Sequence, residues 1–162
     1  MLKYLLGLIL VLQLTNSAFG HLCLFDPPQR NPNWAVPIDS GDNACFRVRG
    51  NCGNVTSGAP VAIYNAGSTI NVFFQQNYNH WYAENPGFLD ISISYDGDNG
   101  DFTLLSPQID DYNAWDMVTQ TNYTVPVSLP NKPCKNCVLR VRYICNNPAE
   151  PNFTQCSDIA II

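Results

Sequence analysis

Basic residues are scarce in this chain, with 8 Lys and Arg against 13 Asp and Glu over 162 positions. Nucleic acid, whose phosphates demand neutralising cations, is therefore not an expected partner. Long apolar runs are equally scarce. The one near the start, Tyr4 to Leu12, is far too short to span a bilayer. No transmembrane segment is expected, and the closing "SDIAII" lacks the spacer and tail of a lipid-anchor signal. Sustained helical periodicity, internal repeats and linkers are also missing, which argues against bundles and solenoids. Histidine is rarest among the residues that carry chemistry, with only His21 and His80. A catalytic Cys–His or Ser–His pair would have His80 as its only base, and no sequence signature supports one.

What the first residues do hold is a secretory leader. Lys3 supplies its positive charge, Tyr4 to Leu12 its apolar core, and Ala18 and Gly20 the small residues before a cut. Residues 1–20 are expected to be a signal peptide, leaving one domain, 21–162, that begins at His21. The expected destination is extracellular. The seven cysteines, Cys23, Cys45, Cys52, Cys134, Cys137, Cys145 and Cys156, all fall after the cut. An oxidising compartment makes three disulfides and one leftover thiol the simplest count. Cys134 and Cys137 have redox or zinc spacing, but no βαβ context or second pair accompanies them, so they join the disulfide framework. Sequons at Asn54, Asn122 and Asn152 fit a secreted glycoprotein.

Alternation predicts strands. Ile70, Val72 and Phe74 share one side of "STINVFFQ". Leu89, Ile91, Ile93 and Tyr95 oppose Asp90, Ser92, Ser94 and Asp96. Tyr123, Val125, Val127 and Leu129 form another face, with Pro126 on the outer side as at an edge or bulge. Leu139, Val141, Tyr143 and Cys145 are expected inside, with Arg140 and Arg142 outside. One polar face per run argues for antiparallel sheets, and turn signals such as "DGDNGD", "NPG" and "NNPAEP" separate the runs. Residues 22–60, rich in Pro, Asn and Gly, read as a long loop pinned by cysteines. The expected fold is a single all-β sandwich with long loops. "DGDNGD" is acidic like a calcium loop, but its glycines fall at the wrong offsets and Pro107 stands where a bidentate Glu should be. It reads as a hairpin turn.

Cleavage after Gly20 would change the chemistry of His21. A free N-terminal histidine chelates one metal through its α-amine and its imidazole Nδ1. The amine has an ordinary pKa of about 7.7–8, low enough for a metal to displace its proton near neutrality. A second imidazole, from His80, completes a T-shaped set of nitrogens known as a histidine brace, and such coordination favours Cu(II). His80 lies in "NYNHWYAENPG", a polar and aromatic loop following a strand. Either Asp110 or Asp111 in "SPQIDDYNAW" is placed to add a carboxylate, and a turn-capping pair is the alternative.

The opening "HLCLFDPPQR", the "NHW" with its following "PGF", and the closing "NFTQCSDIAI" resemble the copper-acquisition-factor (Bim-type) proteins. These are relatives of lytic polysaccharide monooxygenases. The resemblance implies an immunoglobulin-like or fibronectin-III-like antiparallel β-sandwich with copper at the mature N-terminus, held by His21 and His80. It implies a further aspartate ligand, best matched by Asp111, with Asp110 as the alternative. It also places Phe153 beside copper and gives Asp158 a structural role. Cys145 departs from the family pattern and accounts for the odd cysteine.

Two functions follow. One is a secreted copper(II) protein that captures, buffers or delivers the ion without turnover, as a monomer, with a membrane copper transporter as recipient. A carboxylate ligand favours it, because that ligand fills a position an oxidant would need and prefers the harder Cu(II). The other is a copper-dependent lytic monooxygenase acting on an extracellular glycan, with Trp34, Trp81, Tyr82, Tyr112 and Trp115 as candidates for a sugar-stacking face.

Overall fold

The computed structural model describes residues 21–33, 38–111 and 116–162. Residues 1–20, the expected leader, lie outside the described residues, as do Trp34, Tyr112 and Trp115. Nine strands form among the described residues: β1 (His21–Asp26), β2 (Ala62–Tyr64), β3 (Thr69–Tyr78), β4 (Phe88–Ser94), β5 (Thr103–Leu104), β6 (Ile109–Asp110), β7 (Thr121–Ser128), β8 (Cys134–Ile144) and β9 (Phe153–Ile161). A short 3-10 turn, Asn43–Cys45, is the one helical element among them. No described helix is long and apolar enough to cross a membrane.

The strands make two sheets, ordered β1-β3-β7 and β2-β9-β8-β4-β5, with β6 also pairing to β4. Pairing is antiparallel except between β2 and β9. The expected alternation explains the core between the sheets. Leu22, Leu24, Val72, Phe74 and Val127 come from the smaller sheet, and Leu89, Ile91, Ile93, Leu139, Val141, Tyr143 and Phe153 from the larger. Each large apolar side chain buried there contributes roughly 1.5–3 kcal/mol. Pro126 sits on β7, an outer strand of its sheet, where a missing N–H is tolerated. "DGDNGD" connects β4 to β5, an antiparallel pair.

Two features differ from the sequence reading. Residues 21–26 are strand, because Leu22 and Leu24 face the core while Cys23 turns away and bonds Cys45. The polar faces of β4 and β8 are also covered. Asp90, Ser92, Ser94 and Arg140 are buried. Arg140 lies 3.6 Å over the Phe102 ring and donates to Ser92 Oγ at 3.2 Å, while Arg142 Nε donates to Asp90 Oδ1 at 3.0 Å. A second apolar cluster of Cys52, Val138 and Cys156 completes this outer layer.

Disulfides join Cys23 to Cys45, Cys52 to Cys156 and Cys134 to Cys137, and Cys145 is a free, buried thiol. The Cys52–Cys156 bridge spans 104 residues, a closure of the size that restricts the unfolded chain by about 4.7 kcal/mol. Burial pushes the Cys145 thiol up, and it donates to Pro151 O at 3.4 Å.

Candidate metal centre

The β1–β3 register pairs His21 with Tyr78, the last residue of β3. His80 follows two residues later, so both histidines arrive at the same end of the sandwich. Their exposures are 0% and 2%. Ring contacts close a circuit around them. His21 lies 5.3 Å from Phe46, Phe46 6.0 Å from Phe153, and Phe153 5.6 Å from His80. His80 lies 5.4 Å from Tyr78, which lies 6.5 Å from His21.

Each histidine is held by a different part of the chain. Asn77 Oδ1 accepts the backbone N–H groups of Gly41 and Asp42 at 2.8 and 3.1 Å, fixing the loop against which His21 packs. Burial lowers the pKa of the His21 ring to about 4 despite the nearby Asp42 backbone and charge, which act to raise it, so the imidazole is neutral at physiological pH. A neutral imidazole is the form that binds metals. On the other side, the His80 backbone N–H donates to Tyr143 Oη at 3.0 Å, and Glu150 Oε1 lies 3.7 Å from His80 Nδ1. Gly87 closes the segment after His80: a Cβ there would stand 2.0 Å from the Ile144 carbonyl oxygen.

The two candidate aspartates separate. Asp110 is exposed on β6, whereas Asp111 is buried. Gln76 Nε2 donates to Asp111 Oδ1 at 2.9 Å, and Tyr143 Oη donates to Oδ2 at 2.9 Å. Burial above all, then the Asp111 charge, pushes the Tyr143 phenol well above the ordinary tyrosine range and keeps it a donor. Among the described residues no group of three or more His, Cys, Asp or Glu side chains is arranged to hold a metal ion. His21 and His80 are gathered around Tyr78, and Asp111 is connected to His80 through Tyr143. A histidine brace would take its third nitrogen from a freed α-amine and would ask only two imidazoles of side chains. The donor set fits.

No protein-family model and no curated protein sequence matches the chain. Solved structures do. One is described as "AA10 lytic polysaccharide monooxygenase (LPMO) from Streptomyces lividans". It aligns with a TM-score of 0.51 at 12% identity, over 86% of this chain and 99% of that one. The chain has an LPMO-like fold. A superoxide reductase (neelaredoxin) from Ignicoccus hospitalis aligns over 62% of this chain and 73% of its own, at 13% identity and a TM-score of 0.42.

Within the LPMO-like sandwich, several residues at this end were not singled out by motif. Gln155 on β9 donates through Nε2 to the carbonyl oxygens of Leu22 at 2.7 Å and Cys45 at 3.2 Å, tying β1 to the larger sheet beside His21. Tyr143, Tyr78, Phe46 and Glu150 are the others. The available signal was chemical, since a tyrosine at an inward strand position needs a partner for its hydroxyl. Phe153, marked by the resemblance, stacks on His80. Asp158 is structural: it accepts Arg30 Nε at 2.9 Å and the Gly58 N–H at 2.8 Å. Trp81 and Tyr82 are half-buried.

Proposed function

We propose that residues 21–162 form a secreted copper(II)-binding domain that captures, buffers or delivers the ion once removal of residues 1–20 frees the His21 amine. The observation that carries this reading is the convergence of two buried histidines on Tyr78, inside one circuit of rings. The proposed ligands are the His21 amine and imidazole and a ring nitrogen of His80, with Asp111 as the carboxylate of the site. Nitrogen donors in this number suit Cu(II) ahead of other divalent first-row ions. The resemblance of the terminal blocks to copper-acquisition proteins and the LPMO-like fold support the same choice of metal.

The chain's own residues do the remaining work. His21 presents a neutral ring without displacement of a ring proton. Phe46, Phe153 and Tyr78 restrict the rings of both histidines and limit water. The negative charge of Asp111 favours Cu(II) over Cu(I), which suits carriage better than redox cycling. Copper titration of protein starting at His21 tests the reading. His80→Ala should weaken binding by at least about 100-fold, more than losing an outer-sphere partner costs. An unchanged titration would sink the brace. Oxidised oligosaccharides released from chitin or cellulose with reductant and peroxide, and lost in His80→Ala, would replace carriage with catalysis.

A further inference from the structure

We infer that Tyr143 is a positioning residue of this centre, whose hydroxyl locks the His80 backbone to the Asp111 carboxylate. The inference rests on the brace reading above. Tyr143 is fully buried on β8, between Leu89 of β4 and Phe153 of β9 in the sheet register. Its ring lies 5.9 Å from Phe153, the same ring that stacks on His80. A phenylalanine would satisfy that packing. The hydroxyl has a separate use.

A phenolic hydroxyl offers one donor and can also accept. Here the proton goes to Asp111 Oδ2 at 2.9 Å, and the oxygen accepts the His80 N–H at 3.0 Å. Both partners lie just past strand ends, His80 after β3 and Asp111 after β6. Segments past strand ends are free to shift. Tyr143 instead stands in β8, which is bonded on both sides within its sheet. One oxygen atom therefore refers two connecting segments to the most constrained strand nearby. Gln76 secures the other Asp111 oxygen, and Tyr123 Oη donates to Gln76 Oε1 at 3.2 Å. The chain Tyr123–Gln76–Asp111–Tyr143–His80 crosses from the smaller sheet to β8 of the larger one and returns to the segment after β3. Removing the Tyr143 hydroxyl leaves a buried N–H and a buried carboxylate oxygen each short of one partner. Outer groups that orient a ligand are worth about 10–100-fold in metal affinity.

The test uses protein beginning at His21, as wild type, Tyr143→Phe and Val141→Ala. Val141 is a fully buried neighbour on β8 with no bond to the centre. Copper affinity is read by competition with a chelator and Cu(II) geometry by electron paramagnetic resonance. Tyr143→Phe should lose about 10–100-fold in affinity and change the copper hyperfine splitting. Val141→Ala should lower the unfolding midpoint and leave both copper readouts as in wild type. Tyr143→Phe with wild-type affinity and spectrum overturns the assignment, as does a Val141→Ala spectrum altered equally. Hydrogen exchange on metal-free wild type needs no variant. The His80 amide should exchange as slowly as the β3 amides, and exchange at an open-loop rate overturns the assignment. Wild type that binds no copper overturns the brace reading itself; copper binding that Tyr143→Phe leaves intact overturns only the role of Tyr143.

Discussion

The ring of Phe153 lies nearly parallel to that of His80, with 12° between their planes and 5.6 Å between centroids. Phe153 is the first residue of β9 and is 1% exposed, so it serves the core and the centre together. Phe153→Ala should cost about 3–5 kcal/mol of stability in urea unfolding, the range for truncating a buried phenylalanine. Phe153→Leu should cost clearly less, because it refills most of the space. Both should weaken copper binding, since neither leaves a flat face against His80. Full stability in Phe153→Ala would contradict the placement of this ring.

Gln155 acts on the opposite histidine. Its amide holds the Leu22 carbonyl at 2.7 Å, one residue from the amine that cleavage would free. Gln155→Ala should destabilise the domain by about 1–3 kcal/mol through the buried carbonyls it leaves without their donor. The Leu22 and Cys23 segment should then exchange its amides faster than in wild type. Uniform exchange across both proteins would rule out an anchoring role.

The sandwich was legible in the chain to a large extent because its strands alternate cleanly. Ile70, Val72 and Phe74 are inward, as expected, and so are Leu89, Ile91 and Ile93. The covered outer face was not legible. Asp90, Ser92 and Arg140 read as solvated polar residues, and only the fold brings Phe102, Asn51 and the Cys52–Cys156 bridge over them. β1 was hidden for a related reason. Between the expected leader and Pro27 it is six residues long, and its two inward leucines are too few to declare a period. His21 and His80, which the fold brings to one end of the sandwich, stood out in the sequence because a free N-terminal histidine would have distinctive chemistry. Tyr143 escaped, because a tyrosine in strand alternation looks like any core aromatic until its hydroxyl partners are known.

Arg30 is a further point where tertiary context decides. Its guanidinium donates to Asp158 and Asp98 together, and the Asp158 side chain is 8% exposed. Removing one member of a buried ion pair leaves the other charge uncompensated and costs about 3–5 kcal/mol. Arg30→Ala should therefore destabilise by that amount in chemical denaturation. Arg30→Ala with Asp158→Asn should recover part of it. No recovery in the double variant would contradict a coupled pair.

Protons compete for the same nitrogens as copper. The His21 ring, with its pKa lowered to about 4, has no proton to lose above pH 5. The free amine, with an ordinary pKa of about 7.7–8, does. Apparent copper affinity should thus rise with pH through neutrality, by about tenfold per unit for each proton displaced, and level off once the amine is deprotonated. Titrations at a series of pH values check the sign. Affinity independent of pH between 6 and 8 would exclude the amine as a ligand.

The most direct measurement compares two proteins that differ by a single residue before His21. One starts at His21 and the other carries one alanine ahead of it, so that the amine of His21 becomes a peptide nitrogen. Copper titration with electron paramagnetic resonance on both reads the chelate itself. A brace at His21 predicts tight binding and a tetragonal nitrogen-rich spectrum for the first, and loss of both for the second. Equal affinity and identical spectra in the two proteins would contradict it.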